Sequence, residues 1–276
     1  MTSDDGAWLD VAPWGIKPNV AQRLRATAQE VAREWGVPLG ERLAAGRFSY
    51  VAFAGDNAVL KVVPVEDDEA DHEADALELL AGDGAVRLLR HDRARRAILI
   101  ERARPGYDAS GLPEPQAIRV AIAAAKKFWR PAERGAPFRW IGDHIPRWLD
   151  NAGDHYLVRQ AKEIYETMHP SDATLVHGDF HHHNLLSNDD GWVVIDPKPM
   201  VGEPEFDVPT FLRNPIGHQP TRESVERWIA AFADAGLDAN LLRKWAIVRG
   251  TYQGLPLSHG LTAETSPALR VVRALL

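Results

Sequence analysis

The segment from His177 to Asp196 constrains this chain more than any other. Asp179 is followed five residues later by Asn184, and a second aspartate, Asp196, ends the apolar, strand-like run at residues 192–195. Phosphoryl transfer needs a carboxylate that receives or orients the proton of the incoming hydroxyl, and oxygen ligands for Mg²⁺, a hard ion. We therefore interpret Asp179 as the catalytic base, and Asn184 and Asp196 as metal ligands, of a kinase active site.

Three consecutive histidines, His181 to His183, offer an alternative interpretation, because imidazole is a good zinc ligand. Adjacent residues on a strand point to opposite faces and on a tight loop they splay apart, so three neighbours seldom converge on one ion. A metal-dependent hydrolase is therefore the weaker hypothesis. A catalytically inactive, kinase-like binding protein is the third, and it is disfavoured because Asp179, Asn184 and Asp196 are all intact.

A lysine upstream is the predicted partner of nucleotide phosphates. Lys61 interrupts the apolar run at residues 57–63, and a cation in such a run is costly unless it meets an anion. Glu73 shares one face of the next predicted helix with two leucines, so it points inward and is predicted to pair with Lys61. The alternatives are that Glu69, one turn earlier, takes this place, or that Lys61 snorkels from an edge strand.

Further candidates for phosphate contact flank these residues. Gly46 and Ser49 lie where a turn would cover the phosphates, although an ordinary hairpin turn explains them nearly as well. Lys198 is a candidate for contact with the transferred phosphate, or alternatively neutralises the carboxylates of the site. Asp207 is expected to brace the catalytic loop by hydrogen bonds rather than to bind substrate.

Composition excludes several other classes of protein. The 276 residues contain no cysteine, so disulfides are excluded, and the acidic start lacks the basic and apolar regions of a signal peptide. No apolar stretch approaches the length of a membrane span, and the formal net charge of -7 disfavours nucleic acid. The arginine-rich stretch at residues 87–96 is interpreted as a local, solvated surface. We expect a soluble, cytoplasmic, monomeric enzyme with no membrane or nucleic-acid partner.

Hydrophobic patterning predicts an α+β protein with two lobes, residues 1–103 and 104–276. The first combines a helix at residues 18–35 with a five-stranded antiparallel sheet and one inserted helix. The second is mainly helical and is interrupted by the catalytic segment. Its predicted helices cover residues 113–129, 154–168, 221–235, 239–249 and 267–276, with Asp154 and Thr221 as N-caps.

Several motifs together resemble one known family. The run His177-Gly178-Asp179 through Asn184 is followed by Ile195-Asp196-Pro197-Lys198-Pro199, by the rest of the segment up to Asp207, and by residues 211–215. This pattern resembles the aminoglycoside/hydroxyurea phosphotransferase family, in its streptomycin 6-kinase branch, over about residues 40–215.

The resemblance implies a two-lobed, protein-kinase-like fold that uses ATP and Mg²⁺ to phosphorylate a hydroxyl of a small molecule such as streptomycin. Hydroxyurea or another small metabolite is the alternative acceptor. By motif position, the backbone of Glu101, Arg102 and Ala103 is implied to contact adenine. A cationic acceptor would need carboxylates, and the loop-like candidates are Asp143, Asp150, Glu203 and Glu205. Glu203 departs from the family pattern, which usually has aspartate there.

Overall fold

The computed structural model describes residues 18–43, 49–133, 135, 137–215, 217–257 and 261–276. The chain divides into two compact units, Met1–Gly106 and Tyr107–Leu276. The elements of the first unit are α1 (Pro18–Trp35), β1 (Leu39–Arg42), β2 (Tyr50–Ala54), β3 (Ala58–Val62), α2 (Glu73–Leu80), β4 (Leu88–Asp92) and β5 (Ala97–Glu101).

The second unit is mainly helical, as predicted. Its elements are α3 (Glu114–Phe128), β6 (Arg130–Pro131), β7 (Arg139–Trp140), α4 (Ile141–Asn151), α5 (Tyr156–Glu166), β8 (Thr174–Val176), β9 (Leu185–Asn188), β10 (Gly191–Val194), β11 (Met200–Gly202), α6 (Val208–Leu212), α7 (Arg222–Asp234), α8 (Ala239–Gly254) and α9 (Pro267–Leu275). No helix of the described ranges is long and apolar enough to cross a bilayer.

The sheet of the first unit confirms the predicted five antiparallel strands, in the order β1-β2-β3-β5-β4. Lys61 lies in β3, the central strand, between Val51 on β2 and Ile98 on β5. The alternative that Lys61 snorkels from an edge strand is therefore wrong.

Helix α1 covers one face of this sheet. Its residues Val20, Leu24 and Val31 repeat at helical spacing and are buried in one apolar cluster with Leu60 of β3. Because side chains alternate along a strand, Lys61 points to the face opposite α1. That face is where α2 supplies Glu73.

The second unit contains a four-stranded sheet, in the order β6-β8-β11-β7, and the separate hairpin β9–β10. The sequence reasoning missed the four-stranded sheet because its strands are only two or three residues long. It also missed α4, whose Pro146 resembles a helix breaker. Pro146 has no N–H group to donate to the Gly142 carbonyl oxygen. The Tyr165 hydroxyl lies 3.5 Å from that oxygen and donates to it instead.

Two predicted helix N-caps differ in outcome. Thr221 caps α7 by accepting a hydrogen bond from Ser224 N, in a capping box, as predicted. The prediction for Asp154 is wrong. His155 is the N-cap of α5 and accepts from Leu157 N, whereas the Asp154 carboxylate pairs with Arg159.

Candidate active site

His177 follows β8, and its ring contacts the backbone at Asp179, the predicted base, and next to Asp196, a predicted metal ligand. Its Nδ1 accepts a hydrogen bond from Asp179 N (3.1 Å), and its Nε2 lies 3.0 Å from the Ile195 carbonyl oxygen, one residue before Asp196. These partners suit the neutral ring with its proton on Nε2. Burial lowers the pKa of His177, which keeps the ring neutral. The ring therefore sets the spacing between the two segments.

Gly178 allows the chain to turn between His177 and Asp179. Its φ is +79°, and a Cβ atom at this position would overlap the carbonyl oxygen of Lys198. Lys198 N donates to the His177 carbonyl oxygen at 2.7 Å, which holds the two segments at this close approach. Both the backbone conformation and the lack of space require glycine here.

The Asp179 carboxylate is partly exposed, and His181 and Arg213 influence its charge state. His181 Nε2 lies 3.5 Å from Asp179 Oδ2. Burial by itself raises the pKa of Asp179, but the hydrogen bond to His181 and the charge of Arg213 lower it further than burial raises it. Asp179 is therefore ionised at neutral pH, as a group that orients or accepts the proton of a hydroxyl must be. Sequence reasoning did not identify Arg213 in this role.

Asn184 and Asp196 flank the open end of the β9–β10 hairpin. The strand register pairs Leu185 with Val194, and Ile195 N donates to the Asn184 carbonyl oxygen at 3.0 Å. The side-chain nitrogen of Asn184 donates to the Asp179 carbonyl oxygen at 2.9 Å, so its amide oxygen is the atom suited to a metal ion. Asp196 has a φ of +55°, and Lys198 Nζ lies 3.8 Å from its Oδ1. An amide and a carboxylate oxygen fit the preference of Mg²⁺ for oxygen ligands.

The three consecutive histidines contact three different groups. His181 faces Asp179, His182 stacks on Phe211 with ring centroids 3.9 Å apart, and His183 Nδ1 lies 2.9 Å from a carboxylate oxygen of Asp108. Within the described part of the chain, no three His, Cys, Asp or Glu side chains group as a metal site. The rings do not converge, which argues against the zinc hydrolase.

Asp207 is fully buried and braces the catalytic loop, as expected from the sequence. Its Oδ2 accepts hydrogen bonds from His177 N (2.8 Å) and Trp129 Nε1 (2.9 Å), and its Oδ1 accepts from Gly178 N (2.8 Å). Arg249 of α8 adds a contact that the sequence did not reveal, because its guanidinium donates to the Gly178 carbonyl oxygen. The backbone around Asp179 is therefore held from both sides.

The first unit contains the predicted phosphate-binding pair. Lys61 Nζ lies 2.6 Å from Glu73 Oε2, and both side chains are buried. Glu73 therefore pairs with Lys61, as the sequence predicts. Ser49 is buried directly before β2, whereas Gly46 lies outside the described residues.

The predicted adenine-contacting backbone follows β5. Glu101 N donates to the Arg87 carbonyl oxygen and Arg102 N donates to the Asn57 carbonyl oxygen, both at 2.9 Å. The N–H groups of Glu101 and Arg102 are therefore already bonded within the first unit. Of the three predicted residues, Ala103 is the one whose N–H is proposed to contact adenine. The Arg102 guanidinium lies over the Phe53 ring, 3.8 Å from its centroid.

Comparison with known proteins agrees with this geometry. A family model described as aminoglycoside/hydroxyurea antibiotic resistance kinase matches residues 42–257. The chain belongs to this family. It is accordingly a phosphotransferase, and the resemblance noted in the sequence is confirmed.

Individual relatives are similar to the chain at moderate identity. The hydroxyurea phosphotransferase of Kitasatospora aureofaciens is 30% identical over 244 residues, which cover 82% of this chain and 71% of that protein. The streptomycin 6-kinase of Streptomyces glaucescens is 29% identical over 204 residues, 67% of this chain and 65% of that protein.

Solved structures confirm the protein-kinase-like fold. An aminoglycoside phosphotransferase crystallised as a ternary complex with ADP and hygromycin B superposes with a TM-score of 0.59 at 18% identity. The match covers 90% of this chain and 97% of that one. At this identity the likeness shows the fold alone.

The glutamate that departs from the family pattern has a structural role. Glu203 is buried, its Oε1 accepts from Trp245 Nε1 (2.6 Å), and its Oε2 accepts from Ser171 N (2.5 Å). Glu205 is also buried and accepts from Asp238 N (2.9 Å) at the start of α8. The expectation that these two carboxylates meet a cationic acceptor is wrong, because internal donors already occupy them.

The other two carboxylates suggested for the acceptor lie on α4. Asp143 and Asp150 are both exposed. Asp150 Oδ1 lies 2.6 Å from Lys162 Nζ of α5, an ion pair that solvent screens. Both carboxylates stay predicted candidates for contact with a cationic acceptor.

Glu203 is expected to make stability depend on pH. Burial raises its pKa to about 7, against the opposing hydrogen bonds from Trp245 and Ser171. Glu203 ionises near pH 4.5 in the unfolded chain and near pH 7 in the folded protein. Its contribution to the free energy of unfolding is therefore fully present below pH 4.5 and is lost as the pH rises to about 7. As the pH rises between these two values, the free energy of unfolding of the wild type should fall relative to that of Glu203→Gln. Urea unfolding at several pH values tests this, and parallel curves for the two proteins would contradict it.

Proposed function

We propose that this kinase transfers the γ-phosphate of ATP to a hydroxyl of a small molecule, an aminoglycoside such as streptomycin. The observation that carries the proposal is the arrangement around His177. The buried His177 ring accepts a hydrogen bond from Asp179 N and lies against the Ile195 carbonyl, next to Asp196. The side-chain nitrogen of Asn184 donates to the Asp179 carbonyl oxygen. A base and two metal-ligand candidates are thus held by one hydrogen-bonded framework.

The proposed roles follow from the charge and placement of each group. Asp179, kept ionised by its neighbours, orients the acceptor hydroxyl and receives its proton. Lys61, held by Glu73, pairs with phosphate oxygens as a compact point charge. Asn184 and Asp196 would hold Mg²⁺, which neutralises charge on the phosphates when it is bound. Lys198, beside Asp196, contacts the transferred phosphate.

The names of the relatives support the choice of acceptor and nucleotide. Two matched relatives are streptomycin 6-kinases and a third is a hydroxyurea phosphotransferase. A structural neighbour was solved with ADP. Streptomycin is therefore proposed first and hydroxyurea is the alternative acceptor.

A coupled assay of ATP consumption, with mass spectrometry of the product, tests the proposal. The purified protein is incubated with MgATP and either streptomycin, another aminoglycoside, hydroxyurea or a neutral polyol, with Asp179→Asn as the blank. We expect a phosphorylated streptomycin that the blank does not form. A phosphorylated hydroxyurea alone would overturn the aminoglycoside assignment. No measurable MgATP binding by the wild type would overturn the kinase assignment itself.

A further inference from the structure

Two arginines in the turn between β4 and β5 reach the start of α2. Arg93 lies 2.6 Å from Asp75 Oδ1, inside the first turns of the helix. The Arg96 guanidinium pairs with Asp71, two residues before the helix begins. Glu73, the partner of Lys61, lies midway in sequence between the two anchored aspartates. The arginine contacts therefore bracket the glutamate.

The turn that carries the arginines is itself held in place. Asp92 Oδ1 accepts from Arg95 N at 2.9 Å and closes the turn. The Arg96 carbonyl accepts from Val63 N at 3.0 Å, directly after the strand that contains Lys61. Arg96 has a φ of +52°, a left-handed conformation at the exit of the turn. The turn is thus tied to the same sheet as Lys61.

Helix α2 needs such external contacts. It has only eight residues, and its N-cap, His72, makes no side-chain capping bond to the helix backbone. Helices of this length are marginal without tertiary support. The buried faces of Leu77 and Leu80 hold α2 near the sheet, but apolar contacts are not directional. Charge-assisted hydrogen bonds are directional, and the arginines supply them at the end of the helix that carries Glu73.

The Lys61–Glu73 pair does not replace these contacts. Burying two charges costs desolvation energy, and their attraction compensates for that cost only when the geometry is good. A displacement of the start of α2 would leave Lys61 beside a misplaced carboxylate. The Lys61–Glu73 ion pair therefore requires that other contacts position α2.

We propose that Arg93 and Arg96 are positioning residues for nucleotide binding, because they hold the start of α2 where the Glu73 carboxylate meets Lys61. The inference rests on the proposed role of Lys61 and Glu73 in binding nucleotide phosphates. Arg93 is exposed, as expected for a solvated surface at residues 87–96, and the inference adds a role for this surface toward α2.

Arg95 provides a matched internal control. It lies in the same turn, but its partners are Glu34 and Glu30 of α1, at 2.5 and 3.8 Å, and Asp92 at the start of the turn, at 2.7 Å. Its removal takes away one arginine and these ion pairs from the same turn without removing a contact to α2 or to Asp71. An effect specific to Arg93 and Arg96 is thereby separated from a general loss of charge or of turn structure.

A double-mutant cycle with MgADP as the probe tests the proposal. We expect R93Q/R96Q to raise the Kd for MgADP by about three- to tenfold, the effect of losing two partly exposed ion pairs. In an E73Q background the same two changes should add less than about twofold, because the group that they position no longer carries charge. R95Q should leave the Kd within about twofold of the wild type. Thermal melting checks that each variant is folded.

Several results would overturn the inference. An equal rise in Kd in the wild-type and E73Q backgrounds would show that the arginines act independently of Glu73. A rise of the same size in R95Q, or no rise in R93Q/R96Q, would also overturn the proposal. If R93Q/R96Q does not fold, the single variant R93E and the swapped pair R93E/D75R replace it, and failure of the swap to recover affinity overturns the proposal. A wild type that binds no MgADP would instead overturn the proposed function.

Discussion

Replacing Asp179 by asparagine is expected to lower the turnover of phosphoryl transfer by about 10²- to 10⁴-fold, the usual contribution of a positioned general base. Asparagine preserves the size of the side chain but cannot accept the hydroxyl proton. The affinity for MgADP should stay within about twofold of the wild type, because Asp179 acts on the acceptor and not on the nucleotide. Initial rates at saturating MgATP, together with nucleotide titration, measure the two effects separately.

Asp190→Asn is a suitable control for this experiment. Asp190 is an exposed acid in the turn between β9 and β10 of the same segment. Its neutralisation changes net charge by the same amount but should leave turnover near that of the wild type. Retention of more than about a tenth of the activity by Asp179→Asn would show that the carboxylate is not the catalytic base.

Replacing Asp207 by alanine is expected to lower the free energy of unfolding by about 3–5 kcal/mol, because three N–H donors lose the carboxylate that accepts their hydrogen bonds. The carboxylate accepts three hydrogen bonds, from His177 N, Gly178 N and Trp129 Nε1. Alanine would leave one buried donor and two partly buried donors without this acceptor, and a fully buried unsatisfied donor costs about 1–3 kcal/mol. Activity should fall as well, because Asp179 directly follows this backbone. Urea unfolding monitored by tryptophan fluorescence measures the loss.

Two further variants make the Asp207 result specific. Asp207→Asn keeps one acceptor oxygen and should lose less stability than Asp207→Ala. Asp234→Asn removes an exposed carboxylate near the end of α7 and should change stability by no more than about 0.5 kcal/mol. An unfolding free energy for Asp207→Ala within about 1 kcal/mol of the wild type would contradict the bracing role.

Much of the first unit could be predicted because its signals are local. The helical spacing of apolar residues in α1, the alternation in β2 and the short apolar runs of β3 and β5 are all visible in the sequence, and each corresponds to a buried part of its element. The same holds for the pairing of Lys61 with Glu73, since a cation in a buried strand needs a nearby anion. The site spacing of Asp179, Asn184 and Asp196 was likewise readable, because one loop and one hairpin carry all three.

The sequence by itself determined that the residue types phosphoryl transfer requires lie at short separations along the chain, and from this it predicted which groups carry out the transfer. Only the tertiary structure decided which charges are exposed and which are internal supports. Glu203 and Glu205 resembled acceptor carboxylates until their buried donors were known, and the ion pairs of the exposed Arg93 and the partly exposed Arg96 with Asp75 and Asp71 are visible only in the fold. Arg249 lies 71 residues from Gly178 in the chain. No local pattern encodes a contact at that distance, because the partners meet only after the intervening helices have packed.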